Sequence, residues 1–154
     1  MGAVYFYHLT RNPIEVTLPM LLGKARQAGW RVMVKGSNPV ALEQIDAKLW
    51  LADKDGFLPH GLSGGAHDAE QPILLGCEDT RANEPACVMA IHGADISAQT
   101  VADMERCCVL FDGNDGDALN RARSQWKTLT DAGVAAQYWS EESGRWEKKA
   151  EKNG

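Results

Sequence analysis

The residues of this sequence that could do chemistry fall in a few short stretches. "GLSGG" (61–65) matches the GxSxG pattern of a serine nucleophile. Such an elbow needs a strand before the serine and a helix after it, so that the hydroxyl stands on a sharp turn. Here Phe57-Leu58-Pro59-His60 precedes and Ala66-His67-Asp68 follows, which is the setting of a glycine-rich loop. His60, His67 and Asp68 could ligate a metal, but their spacing fits no standard zinc pattern. "DGNDGD" (112–117) resembles a calcium loop, yet Gly116 stands where Asp or Asn should ligate, and no glutamate closes the loop. A turn leading into an acidic helix N-terminus describes it better. His8 and His92 lie near strand ends and read as structural.

One constellation is left. Arg123, Trp126 and Lys127 are spaced i, i+3, i+4 and share one helix face. Arg121 lies half a turn away, and no acid falls between 118 and 130. Two readings stand side by side. Trp126 points into the core with ordinary surface charges around it. Or the face is a small pocket for a peptide carrying an anionic group and an aromatic ring. The cations would then receive a carboxylate while the indole packs on the ring.

The elements that must position these groups follow from periodicity. "AVYFYHL" (3–9) reads as a strand, and Ile14, Leu18, Leu21, Leu22 and Ala25 recur at helical spacing over 14–27. Asn12 is a candidate N-cap with Pro13 at the first helical position, and Pro19 should kink or restart the helix. "WRVMVKG" (30–36) is a second strand, followed by a helix from Pro39 to Leu49–Trp50 capped by Ser37 or Asn38. Residues 51–71 read as irregular. Strands are expected at 72–77, 86–93, 106–113 and 134–139, with a short helix at 96–105 and a strong one at 114–133. Alternating strands and helices predict an α/β chain with a Rossmann-like three-layer fold, its central sheet mostly parallel and its helices on both faces. We expect a single domain over 1–146 and a disordered polar tail at 147–154.

That fold invites a nucleotide, but the loops that bind one are missing. The turn after the first strand, "HLTRNP", has no glycine where GxGxxG would lie. Gly23-Lys24 has Leu18 in the first glycine position of a P-loop and Ala25 after it. No cofactor is implied. A small α/β enzyme or nucleotide-binding protein using the Gly61–Gly65 loop is the alternative reading.

The net charge of −5 argues against a protein that coats nucleic acid, which needs a basic face. No run of about 18 apolar residues could span a membrane, and no secretory signal is visible, so a cytoplasmic location is expected. Cys77, Cys87, Cys107 and Cys108 form no CxxC and read as buried free thiols. "WLADKDGFLPHG" (50–61) carries more apolar bulk than a surface loop needs. Phe57 and Pro59 either plug the sheet edge over Trp50, or Trp50, Phe57 and His60 form a patch that another chain covers.

Three stretches together resemble the chi subunit family of bacterial DNA polymerase III holoenzyme. They are the "VYFYHL" first strand, "ALEQIDAKLWLADKDGFLPHG" with its Leu-Trp followed by Phe-x-Pro-His, and "ARSQWKTLTDAGVAAQYW". The resemblance covers most of the chain. It implies a Rossmann-like accessory subunit without an active site, working in DNA replication as an adaptor. One surface would bind the psi subunit of the clamp loader. Another would bind the acidic, phenylalanine-ended C-terminal tail of single-stranded-DNA-binding protein. By position, Arg123, Trp126 and Lys127 match the tail-binding helix, with Trp126 where a tyrosine is common. Trp50, Phe57, Pro59 and His60 match the region associated with psi or an equivalent partner.

Overall fold

The computed structural model describes residues 2–52, 60–65, 68–77 and 81–152, the side chains of 50–52 excepted. Among these, seven strands run parallel: β1 (Ala3–Leu9), β2 (Val32–Lys35), β3 (His60–Leu62), β4 (Ile73–Gly76), β5 (Cys87–Ala90), β6 (Arg106–Asp112) and β7 (Ala135–Ser140). The last strand, β8 (Glu147–Lys152), returns antiparallel beside β7. The sheet order is β3-β4-β2-β5-β6-β1-β7-β8. Four helices cover it: α1 (Ile14–Gln27), α2 (Pro39–Ala52), α3 (Ala98–Asp103) and α4 (Gly116–Asp131). This is the three-layer α/β arrangement expected. No described helix is long and apolar enough to cross a membrane.

Strand alternation sorts the core into two layers. Leu18, Leu21 and Leu22 of α1 and Leu42, Ile45 and Leu49 of α2 bury against Val32, Val34, Leu75, Cys108 and Leu110. On the opposite face Val101 of α3 and Ala122 and Leu129 of α4 bury against Val4, Phe6, Val109 and Ala136. β6 is buried over most of its length, as a strand covered on both faces must be. Cys87, Cys107 and Cys108 are buried and Cys77 partly so, and all four are free thiols.

The structure departs from the sequence reading at four places. α1 runs unbroken through Pro19. An interior proline costs about 3 kcal/mol, but burying Leu18, Leu21 and Leu22 is worth about 1.5–3 kcal/mol each, so packing on both sides of the proline wins. Asn12 does not cap α1: the capping position is Pro13, with no side-chain bond, and the Asn12 amide turns to Glu141 instead. Within 51–71, His60–Leu62 forms a short strand on β4, where a loop was expected. Finally, Glu147–Lys152 of the expected polar tail is paired as β8. Trp146 holds its start, edge-on to Tyr7 at 5.5 Å. The backbone bonds to β7 need no apolar side chain on the outer edge, and the charges there guard that edge against further pairing.

Candidate partner-binding surface

Two sites compete for the functional role, and the topology creates both. β1 and β6 are neighbours, but β1 leads through α1 to β2 on one side while β6 leads through α4 to β7 on the other. At such a switch point the strand ends open a crevice in which α/β proteins bind ligands. Here it measures about 700 Å³ and is lined by Arg11, Asn12, His92, Gly93, Asp115 and Arg121 among others.

Its backbone donors are already taken. Glu141, buried after β7, accepts through Oε1 from the amides of Arg11 (3.0 Å) and Asn12 (2.7 Å) and from the Asn12 side chain (3.3 Å). These amides lie in the turn where a phosphate loop would stand. At the head of α4, Asp115 Oδ1 accepts from the amides of Asp117 (3.0 Å) and Ala118 (3.3 Å). A helix N-terminus binds phosphate through such free amides, and here carboxylates of the chain hold both sets. The Arg11 guanidinium donates to the Glu142 carbonyl at 2.8 and 3.1 Å. Arg121 lies across Gly93, whose φ of +84° would strain any side chain placed there. Burial pushes the His92 pKa down, with Glu15 pulling the other way.

The other candidate chemistries dissolve into structural roles. The Ser63 amide bonds the Leu75 carbonyl at 2.7 Å, which continues β3, and Asp68 ties down the amides of Gly64 and Gly65. No described imidazole or carboxylate hydrogen-bonds the Ser63 hydroxyl, so the GxSxG match carries no nucleophile there; His67 lies outside the described residues. Asp112 Oδ1 accepts from the Asn114 amide at 2.9 Å, making "DGNDGD" a turn into the α4 cap. Among the described residues, no group of three metal-ligating side chains comes together.

The face of α4 is different. Arg123 is exposed, and no hydrogen bond or ion pair holds its guanidinium among the described residues. Trp126 is half-buried, so the two readings of it meet in the middle. Its ring packs edge-on against Phe6 at 5.5 Å and Tyr138 at 6.0 Å, yet it still reaches the surface. Lys127 is exposed and, among the described residues, pairs only with Asp131, 3.0 Å away. An exposed i, i+4 pair is worth about 0.3–0.5 kcal/mol, so an incoming anion can displace it. Arg121 belongs to the crevice and not to this face. Tyr138 was missed from sequence. Burial raises its phenol pKa, and the positive charge of Arg123 partly offsets that. Alternation along β7 could have found it, because Tyr138 shares a face with buried Ala136.

Of the second expected surface, Phe57, Pro59 and the Trp50 side chain lie outside the described residues. His60 does not belong to an exposed patch. It is buried at 4% exposure, with Nε2 3.2 Å from the Asp46 carbonyl and 3.3 Å from Asp46 Oδ1. Its ring therefore holds β3 to α2.

The family model described as "DNA polymerase III chi subunit, HolC" matches residues 1–137. The chain belongs to the DNA polymerase III chi subunit family. A curated relative, DNA polymerase III subunit chi of Haemophilus influenzae, is 32% identical over 73 residues, which is 46% of this chain and 51% of the relative. The chain thus spans about half the length of the chi subunit it matches. The resemblance read from the first strand, the Leu-Trp helix and α4 is this family.

Proposed function

We propose that this chi-family chain is a non-catalytic adaptor of the DNA polymerase III holoenzyme. It links the clamp loader, through psi or an equivalent subunit, to the acidic C-terminal tail of single-stranded-DNA-binding protein. The observation that carries the reading is Arg123: an exposed guanidinium without an ion-pair partner among the described residues, beside a half-buried indole, on a chain of net charge −5. An acidic tail is repelled by such a chain everywhere except where the field is locally reversed. Arg123 and Lys127 would take carboxylates and Trp126 the terminal ring. Trp50, Phe57 and Pro59 would meet the clamp-loader side.

Such a peptide contact is expected in the micromolar range, about −8 kcal/mol. It should weaken with salt, the Debye length being about 10 Å at 0.1 M. Removing Arg123 should cost more than any other single basic substitution. Hydrogen bonds to charged groups are worth about 1.5–3 kcal/mol, so Arg123→Ala should raise the Kd for a fluorescent acidic peptide ending in phenylalanine about tenfold or more. An unchanged Kd would remove the reading. In thermal melts the same peptide should raise the midpoint, and NAD or ATP should not.

A further inference from the structure

Half of the sheet lacks a covering helix on one side. α1 packs on β2 and β6, whereas β1 and β7 meet α3 and α4 on the opposite side. Burial records the difference. Val4 and Phe6 of β1 face that opposite side and are fully buried, while Ala3, Tyr5 and Tyr7, which alternate with them, are only part-buried. Ala135 and Gln137 of β7, in register with Ala3 and Tyr5, are part-buried as well. At the N-terminal end of this half-open face, cations and rings alternate. The Arg26 guanidinium donates to the Trp30 carbonyl at 2.8 Å. The Arg106 guanidinium lies 5.2 Å from the Trp30 ring centroid and 4.1 Å over that of Tyr5. At the level of Arg106, the next two strands carry only Ala3 and Ala135, so the guanidinium borders a shelf of methyl groups. Arg106 is part-buried, yet among the described residues no acid pairs with its side chain and no carbonyl accepts from it. The two rings attract its charge but leave the N–H donors at its edge unused. A cation partly out of water with no counter-ion is costly to keep, and an anion from outside would relieve it.

We propose that this edge is a stacking site for a short single strand of nucleic acid. One base lies over the Ala3–Ala135 shelf against Tyr5, a second meets Trp30, and Arg106 takes the phosphate between them with Arg26 beside it. The alternation argues for this occupant. Rings interleaved with cations match the base–phosphate repeat of a strand, and a guanidinium lacking an acid on a chain of net charge −5 selects an anionic ligand. An amphipathic helix would need a broad apolar face, and the shelf offers two methyl groups. Two cations hold only a few nucleotides, so the contact is weak, sensitive to salt and indifferent to base identity. A chain this acidic still does not coat nucleic acid. α4 lies on the other side of the sheet, so the site is independent of the peptide reading above.

The test titrates the full chain into a fluorescein-labelled oligothymidylate of about eight nucleotides, read by anisotropy, with a hairpin duplex of similar charge as control. At about 50 mM salt the single strand should bind with a Kd of roughly 10–100 μM and weaken about tenfold by about 200 mM. The duplex, whose bases are already stacked, should bind less tightly. Arg106→Gln should weaken the single strand about tenfold and flatten the salt dependence. Because Arg106 also packs on two rings, Ala3→Glu provides a second variant. It places a carboxylate beside Arg106 on the neighbouring strand, so the melting midpoint should hold or rise while binding falls by a similar factor. If neither variant changes the Kd, or if Arg123→Ala lowers the affinity instead, the strand binds elsewhere and the proposal is wrong. Equal binding of the duplex would reduce the site to a phosphate contact without stacking and overturn it as well. An excess of an acidic, phenylalanine-ended peptide should leave the oligonucleotide bound; displacement would put both ligands on α4 and remove the proposal.

Discussion

The switch-point crevice and the α4 flank both gather cations, and they differ in how much of the polar surface around those cations is already satisfied. In the crevice Arg11 donates to the Glu142 carbonyl, and the amides of the β1–α1 turn and of the α4 head are capped by Glu141 and Asp115. On the flank, Arg123 and Lys152 are held by no described acid, and Trp126 and Tyr138 are only half-covered. The crevice, for all its volume, is therefore the poorer binding site. A polar group contributes to binding through partners it still lacks, because a satisfied group must first surrender a hydrogen bond. The fold keeps the crevice of nucleotide-binding proteins and uses carboxylates of the chain where they use phosphates.

The largest expected effect breaks the crevice side of this comparison. Glu141→Ala leaves the amides of Arg11 and Asn12 and the Asn12 side chain without their acceptor. Each orphaned buried group costs about 1–3 kcal/mol; with water reaching some of them, a total of about 3 kcal/mol is expected. For a chain of this size that lowers Tm by about 6–12 °C. Peptide binding at α4 should be unchanged. A wild-type Tm together with new affinity for NAD or ATP would show a phosphate site kept latent, and would reverse the comparison.

Asp115→Ala probes the same idea at the head of α4. Losing an N-cap costs about 1 kcal/mol, which chemical denaturation can read as a fall in midpoint with an unchanged slope. The flank is sharpened by Asp131→Asn, which releases Lys127 from its one described ion pair. The pair is worth about 0.3–0.5 kcal/mol, so affinity for an acidic peptide should rise about twofold. No change would mean that Lys127 does not meet the ligand.

The sheet and its helices were legible because buried strands and amphipathic helices leave periodic marks: Leu18, Leu21 and Leu22 on α1, the apolar run of β6, the acidic head of α4. The Arg123–Trp126–Lys127 face was legible for the same reason, since helical spacing alone places the three together. β8 was not, because Lys148, Lys149, Glu151 and Lys152 report solvent exposure and are silent about the backbone bonds that hold an edge strand. His60 was misplaced because the short strand that carries it is defined by its pairing to β4 and by its contact with Asp46. Glu141 gave no signal: a glutamate in "SEESG" reads as surface charge until a turn 130 residues earlier in the chain supplies its donors.

The smallest effect concerns the one crevice histidine whose pKa departs from its ordinary value. His92 holds a left-handed backbone at φ +53°, and burial lowers its pKa from 6.5, Glu15 partly opposing. The sign follows from proton binding. The unfolded chain takes up a proton at His92 near pH 6.5, before the folded chain does, so protonation favours unfolding. Stability is thus full above that value and declines as pH falls toward the lower folded pKa. Asparagine tolerates left-handed backbone, so His92→Asn removes the titration without adding strain. Its unfolding free energy, followed from about pH 7.5 down to about pH 5.5, should fall less steeply than that of wild type. An identical slope would mean that His92 is as well solvated folded as unfolded. The crevice would then be wetter than its closed hydrogen bonds imply, and the contrast with the α4 flank would narrow.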